Sequence, residues 1–287
     1  MVSSEKEAAM AIRKLLLPLR CPSRGRSALA VAIQAAARWE AQILAVHIRT
    51  DSSDIAPLAA EGLSGAMVQD MIEAVETEAR ERGVAIQAMI DAVTRDRHPP
   101  VSIRLEERTG QEEDIVAWQA RVADLTVIAR PSGDDDLSST EALHAVLFDG
   151  GRPLLMAPDQ PGDTLGNRVC IAWNGTVESA SAVRAALSWA QKAEAVCILT
   201  AHSYYRQGPA AKELVEYLGC HGIRADIAHF NPVDGSVGAG LLQAAEDFSC
   251  DLLAMGAYSH SRLRQMILGG VTRHVMEHAR IPVLMKR

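Results

Sequence analysis

The chain repeats itself, and that repeat constrains its fold more than any other feature. "LLLPLR" (15–20) and "VCIAWNG" (169–175) are short apolar runs of the kind that form buried strands. "ILAVHIR" (43–49) and "CILTAHS" (197–203) read as second strands. Leu15 and Cys170 stand 155 residues apart, and so do His47 and His202. Between them lie helical patterns, Leu29, Ala32, Ile33, Ala36 in one copy and Ala180, Val183, Leu187, Ala190 in the other. A constant offset across strand, helix and strand argues for duplication. Each copy opens strand–helix–strand, which gives a parallel pair with a right-handed crossover.

Further along, "DLTVIAR" (124–130) parallels "DLLAMGA" (251–257) at an offset of 127, so the first copy holds 28 extra residues. The helix-like "LSGAMVQDMIEAVETEARERG" (63–83) and the polar "TRDRHPP" (94–100) account for much of them. "RPLLMAP" (152–158) then parallels "IPVLMKR" (281–287), and "APDQPGDTLGN" (157–167) reads as a linker. The expected domains are therefore 1–157 and 158–287. Each reads β-α-β-α-β-α-β or close to it. The fold class is α/β, two tandem open, mostly parallel twisted sheets flanked by helices, Rossmann-like.

Bulk composition narrows the function. The formal charge is −7 and the pI about 5.7, which lacks the basic footprint of a nucleic-acid binder. No apolar run approaches the ~18 residues of a membrane span, and the start carries Glu5 and Glu7 rather than a leader's apolar core. These features point to a cytoplasmic protein. The five cysteines are scattered and form no C-x-x-C pair, as reduced thiols would.

The C-terminal segment carries the chemistry. Gly256 lies just past the strand "LLAM", and Gly269 and Gly270 just before the helical "VTRHVMEHA". In open α/β sheets ligands sit beyond the carboxyl ends of the strands. Glycine permits close backbone approach, and a helix N-terminus offers unpaired N–H groups and positive partial charge. Together they describe an anion seat, with phosphate the favoured guest and Thr272 adding a hydroxyl.

This segment resembles the universal stress proteins. Nucleotide-binding members carry G-x2-G-x9-G-[S/T] followed by a helix and a closing P-V-L strand. The chain reads Gly256-x2-Ser259-x9-Gly269-Gly270, then "VTRHVMEHARIPVLMKR". The resemblance is close in the C-terminal half and extends to the N-terminal half through topology and repeat. It implies a tandem universal stress protein of the adenine nucleotide α-hydrolase-like fold, binding ATP, with Mg2+ as a companion ion. Two positions depart from the pattern: Ser259 replaces a glycine, and Gly270 replaces a hydroxyl residue. The resemblance places Ala172 and Asn174 at the end of the first strand near the adenosine. Asn174 stands there for a carboxylate. It also places Ala201 against adenine, Val271 and Thr272 near the phosphates and ribose, and Arg262 among the cations that neutralise phosphate.

The N-terminal copy departs further. Ala129 replaces Gly256, Thr140 and Glu141 fall where Gly269 and Gly270 stand, and Leu19 replaces Asn174. That copy is expected not to bind ATP by this route. In the family, closing strands pair. "PLLM" (153–156) and "PVLM" (282–285) are thus expected to pair within one chain as a pseudo-dimer, and a homodimer of chains is also compatible.

The remaining signals weigh towards ordinary roles. Arg264 and Arg273 read equally as phosphate partners or as a solvated face. His47 and His202 share a repeat position where a structural hydrogen bond is the simpler reading, and His260 reads as a loop histidine. His274 and His278 are i, i+4 but lack a third ligand, so no metal site is assigned. "GSVGAG" (235–240) reads as a loop and helix start. No general base or attacking group emerges, so the expected function is a stress-response sensor or regulator and not a dedicated catalyst. Slow ATP hydrolysis is compatible with it. The alternatives are a nucleotide-free module with another ligand or a protein partner, and an adenylating enzyme.

Overall fold

The computed structural model describes residues 12–20, 22–49, 51, 64–95, 100–131, 137–202, 207–258 and 270–287. The first half runs β1 (Lys14–Pro18), α1 (Pro22–Trp39), β2 (Gln42–Arg49), α2 (Gly65–Thr94), β3 (Ile103–Thr109), α3 (Glu112–Ala120), β4 (Leu125–Ala129), α4 (Leu137–Ala145) and β5 (Leu154–Ala157). The second runs β6 (Arg168–Ala172), α5 (Val177–Lys192), β7 (Ala195–Ala201), α6 (Ala211–Cys220), β8 (Asp226–Phe230), α7 (Val237–Asp247), β9 (Leu252–Gly256), α8 (Val271–His278) and β10 (Val283–Lys286).

All ten strands form one sheet, in the order β3-β2-β1-β4-β5-β10-β9-β6-β7-β8. Every pairing is parallel except β5 with β10, where Val283, Leu284 and Met285 oppose Met156, Leu155 and Leu154. The closing strands thus pair within the chain, as expected. The two expected sheets are the halves of a continuous one, because β5 and β10 are short and buried on both faces, and an unpaired buried backbone edge is costly.

Each half has five strands, one more than the repeat had suggested. The additional strands, β3 and β8, are sheet edges. Their sequences, "IRLEERT" and "DIAHF", are largely exposed or half-buried and carry no apolar run. The extra chain of the first half is mostly helix, since α2 has 30 residues and its counterpart α6 has 10. Ser64 caps α2 by accepting from Met67 N.

Both halves repeat one structural device. Asp124, just ahead of β4, accepts from the amides of Arg13 and Lys14 at 2.8 and 3.0 Å. Asp251, just ahead of β9, accepts from Arg168 and Asn167 at 2.8 and 3.0 Å. The aspartate of each "DL" motif therefore anchors the start of the first strand of its half.

Helices cover both faces over two apolar layers. One layer holds the buried faces of α1 and α5, with Trp39 edge-on to Trp189 at 5.5 Å. The other holds α4, α7 and α8 with Cys170, Cys197 and Cys250 buried among aliphatic residues. The hydrogen bond with Cys250, and burial after it, raise the Cys170 thiol pKa, and burial raises that of Cys197.

The halves are also tied through the linker. Arg38 on α1 donates to Asn167 Oδ1, Gly166 O and Lys192 O at 2.8–2.9 Å. Lys192 lies over the Trp39 ring at 4.1 Å. Gly166 has φ +78, and a Cβ there would meet Trp189 at 2.6 Å, so a side chain is excluded both by conformation and by space. No helix among the described residues is long and apolar enough to cross a membrane.

Candidate functional site

In each half the strand order reverses between the first and fourth strands, which makes a crevice at their carboxyl ends. In the second half this switch point lies between β6 and β9. Ala172, Gly256 and Ala201 end β6, β9 and β7, three adjacent strands running in parallel. The fold therefore brings these three predicted positions to one edge.

The head of α8 meets the same edge. Its N-cap is Gly270, whose backbone is extended (φ −90°, ψ 168°) and which supplies no side-chain cap. The first turn contains no acidic residue. By contrast α5 and α7 are capped by the hydroxyls of Thr176 and Ser236. In α6, Glu213 accepts from Ala210 N at 2.7 Å. The early amides of a helix have no intrahelical acceptor, so the first turn of α8, with Val271, Thr272 and Arg273, presents donors and positive partial charge. Thr272 is buried, and its Oγ1 lies 3.5 Å from the amide of Tyr258. That contact joins the exit of β9 to the first turn of α8. Val271 is half-buried beside it.

Two predicted residues make local contacts that the structure shows. A Cβ on Gly256 would come within 2.6 Å of Glu178 C and Ser179 N, the backbone of the first turn of α5. Glycine at 256 is therefore required by helix–sheet packing, where sequence reasoning had assigned it to close ligand approach. Asn174 points its Oδ1 at the amide and hydroxyl of Thr176, at 3.2 and 2.9 Å. This closes a local turn that presents Thr176 as the cap of α5. Its carbonyl oxygen is occupied by that turn.

The turn after β6 is held from the other side. Trp173 Nε1 donates to Pro209 O at 2.9 Å. Gly175, at φ +79, packs backbone to backbone on Gly208, where a Cβ would meet Gly175 O at 2.1 Å. Sequence reasoning missed Trp173, Gly208 and Pro209 as parts of this rim. The apolar strand run extending into "WNG" was the available signal. Ser259, Arg262 and Gly269, with His260 and Arg264, lie outside the described residues.

The other candidates take structural roles. Arg273 pairs with Glu277 at 2.6 Å along the exposed face of α8. His274 and His278 stack at 4.2 Å, and His278 Nδ1 is 2.9 Å from His274 O. Burial first, and His278 second, lower the pKa of His274. Among the described residues no three His, Cys, Asp or Glu side chains gather as metal ligands would. His47 is buried with both ring nitrogens near carbonyls, Leu19 O at 3.2 Å and Ala79 O at 3.1 Å. His202 differs from its repeat partner. It is exposed and stacks on His229 at 4.8 Å, since β8 is an open edge while α2 covers His47. The "GSVGAG" stretch is a turn and the start of α7, and its Gly238 gives α7 room against the His274 side chain.

The first half differs at this register. Leu19 is buried and faces Gly25 of α1, where a Cβ would meet it at 2.8 Å and Met89 of α2 at 3.4 Å. An apolar side chain thus fills the place that Asn174 occupies in the second half. Glu141, aligned with Gly270, lies inside α4 and not at its start. That helix widens into a π turn (Val146–Gly150) and ends at Gly151 with φ +67.

Comparison with known proteins bears on the family and the fold. The model of the Universal stress protein family matches residues 167–287. The curated universal stress protein Slr1230 of Synechocystis is 40% identical over 50 residues, and the match spans only 17% of each protein. The crystal structure of a universal stress protein from Archaeoglobus fulgidus superposes over 97% of both chains with TM-score 0.69 at 15% identity. A putative universal stress protein from Pseudomonas aeruginosa covers 97% of this chain and 94% of its own, with TM-score 0.54 at 17% identity. At such identities these two likenesses speak to the fold alone. Residues 167–287 therefore form a universal stress protein family domain, set within a chain whose whole length has the α/β fold of such proteins.

Proposed function

We propose that the chain binds one adenine nucleotide, ATP, in the crevice between β6 and β9 and acts as a stress-response regulator. The observation that carries this reading is the head of α8, to which its N-cap Gly270 gives no side-chain cap, held by the Thr272–Tyr258 contact at the strand edge where α/β folds seat ligands. Phosphate oxygens would accept from the first-turn amides of α8. The base and ribose would lie along Ala172 and Ala201, with Gly256 and Asn174 shaping the floor from behind. Ser259, Arg262 and Gly269 complete the site by resemblance. With Gly270, Val271 and Thr272 of the α8 head, these residues carry no carboxylate, so a Mg2+ ion would be held chiefly by the nucleotide's phosphates and water. None is of a residue type that serves as a strong general base, so hydrolysis would be slow at most.

The first half is read as a divergent copy without a phosphate seat. Isothermal titration with ATP, with native mass spectrometry of the purified chain, tests both statements. The expected result is one nucleotide per chain. No heat with ATP, ADP or AMP would overturn the reading, and two nucleotides per chain would overturn the assignment of the first half.

A second reading, a nucleotide-free module, draws on one observation. Gly256 and Asn174 are both accounted for by packing and capping. The same titration separates the two.

A further inference from the structure

We propose that the N-terminal half positions α8 through a His144–Tyr258 contact, so that the half lacking a phosphate seat sets the affinity of the half that has one. The proposal rests on the nucleotide reading above.

Tyr258 lies two residues beyond Gly256, at the exit of β9, with φ +56. A non-glycine residue in that region costs about 1 kcal/mol and persists only where its surroundings hold it. The surroundings are specific. Its amide lies 3.5 Å from Thr272 Oγ1 in the first turn of α8. Its hydroxyl lies 3.5 Å from Met276 Sδ, one turn further along the same helix. The same hydroxyl lies 2.5 Å from His144 Nε2 on α4, across the junction of the two halves. The phenol ring also packs on Phe148 at 5.2 Å, and Phe148 in turn carries the Arg287 guanidinium at 4.4 Å. One residue therefore touches α8 at two levels, through its amide and its hydroxyl, and its side chain is held from the other half of the molecule.

The opposite end of α8 is held from the same side. Arg130, at the exit of β4, donates to Glu277 O in the last turn of α8 and pairs with Asp159. A cation at a helix C-terminus is favourable with the helix dipole. Arg130 is the repeat partner of Ala257, so the strand exit that helps build the crevice in one half grips the crevice helix of the other. The first half has Leu19 and the interior of α4 where the second has Asn174 and Gly270, yet it makes one polar contact on α8, from Arg130, and one on Tyr258, from His144. Coupling is reciprocal. A ligand that fixes the head of α8 must tighten the His144–Tyr258 junction as much as that junction favours the ligand.

The test uses the full chain and the variants His144→Leu, His144→Gln, Tyr258→Phe and the His144→Leu/Tyr258→Phe double. ATP affinity is read by calorimetry. Leu and Phe are each expected to weaken binding roughly 5-fold or more, the lower end of site-to-site coupling. The double should be no weaker than the worse single, because one contact is lost in all three. Gln, whose amide nitrogen reaches about where Nε2 lies, should stay within about 2-fold of wild type. A role in general folding would not spare Gln while coupling the other two.

Wild-type affinity in His144→Leu, or additive losses in the double, would overturn the proposal. Should the wild type bind no adenine nucleotide, the reading of function fails, and hydrogen–deuterium exchange of the peptide 270–278 decides the positioning claim alone. Faster exchange in His144→Leu and Tyr258→Phe supports it, and unchanged exchange refutes it.

Discussion

Replacing Gly256 with alanine separates two meanings of one residue. If the glycine exists to let a ligand approach, the free protein should accept a methyl group. If it exists to let α5 approach β9, the free protein should object. The distances favour the second. The added Cβ would sit 2.6 Å from Glu178 C and Ser179 N and 2.9 Å from Glu178 Cβ. The first two are backbone atoms in a capped helix turn and cannot swing aside as a side-chain tip would. To restore ordinary contact α5 must retreat by about 1 Å, which disturbs the Thr176 cap and the packing beneath it. Overpacking of this kind costs about 2–3 kcal/mol. In a chain of this size that corresponds to a fall in melting temperature of roughly 4–12 °C. The assay is thermal and urea unfolding without nucleotide. Gly162→Ala is the control, because a Cβ there meets nothing within 4 Å, and it should change stability by less than ~0.5 kcal/mol. A Gly256→Ala protein within that margin of wild type would refute the packing argument, and a selective loss of ATP affinity beside it would restore the ligand-approach reading.

Two other perturbations probe the rest of the framework. Arg38→Met keeps a long apolar stem but removes the donors to Asn167, Gly166 and Lys192. Burial already lowers the Arg38 pKa, so its charge is held at some cost, and the net destabilisation should be about 1.5–3 kcal/mol in urea unfolding. No change would mean that the linker is anchored by other contacts. His274 gives a pH signature. Its folded pKa is lowered by burial, then by His278, against Glu277 on α8, and it packs on α7 at Gly238. Stability from neutral His274 is therefore complete above the unfolded value of 6.5 and is lost as pH falls through the folded value. The ring is mostly solvated, so the loss should stay below ~1 kcal/mol. His274→Gln should flatten the melting temperature between pH 7 and 5, and an unaltered pH slope would contradict the assignment.

The repeat was legible because its parts are local. Apolar runs of period-free strand, helical spacing and the "DL" motif each depend on residues close in sequence. Asp124 and Asp251 perform one task in both halves, anchoring the first strand of each. The edge strands β3 and β8 were not legible, since half their side chains face water and give no apolar run. Ala172, Ala201 and Gly256 share one edge of the sheet because parallel strands put their carboxyl ends on one side. What each residue touches did not follow. Asn174 bends back to Thr176, and Gly256 makes room for α5, and neither contact has a sequence signal apart from the residue type.

The pairing of the two apolar closing segments was an expectation from the family resemblance; by itself the sequence determined the duplicated α/β architecture and the parallel direction of strands within each half. Those follow from hydrophobic period and from the short reach of strand–helix–strand connections. Only the tertiary structure decided that ten strands make one sheet, that His144 of one half meets Tyr258 of the other, and that Arg130 of the first holds α8 of the second. Such contacts join residues more than a hundred positions apart. The packing of two surfaces selects them, and no pattern along the chain encodes it.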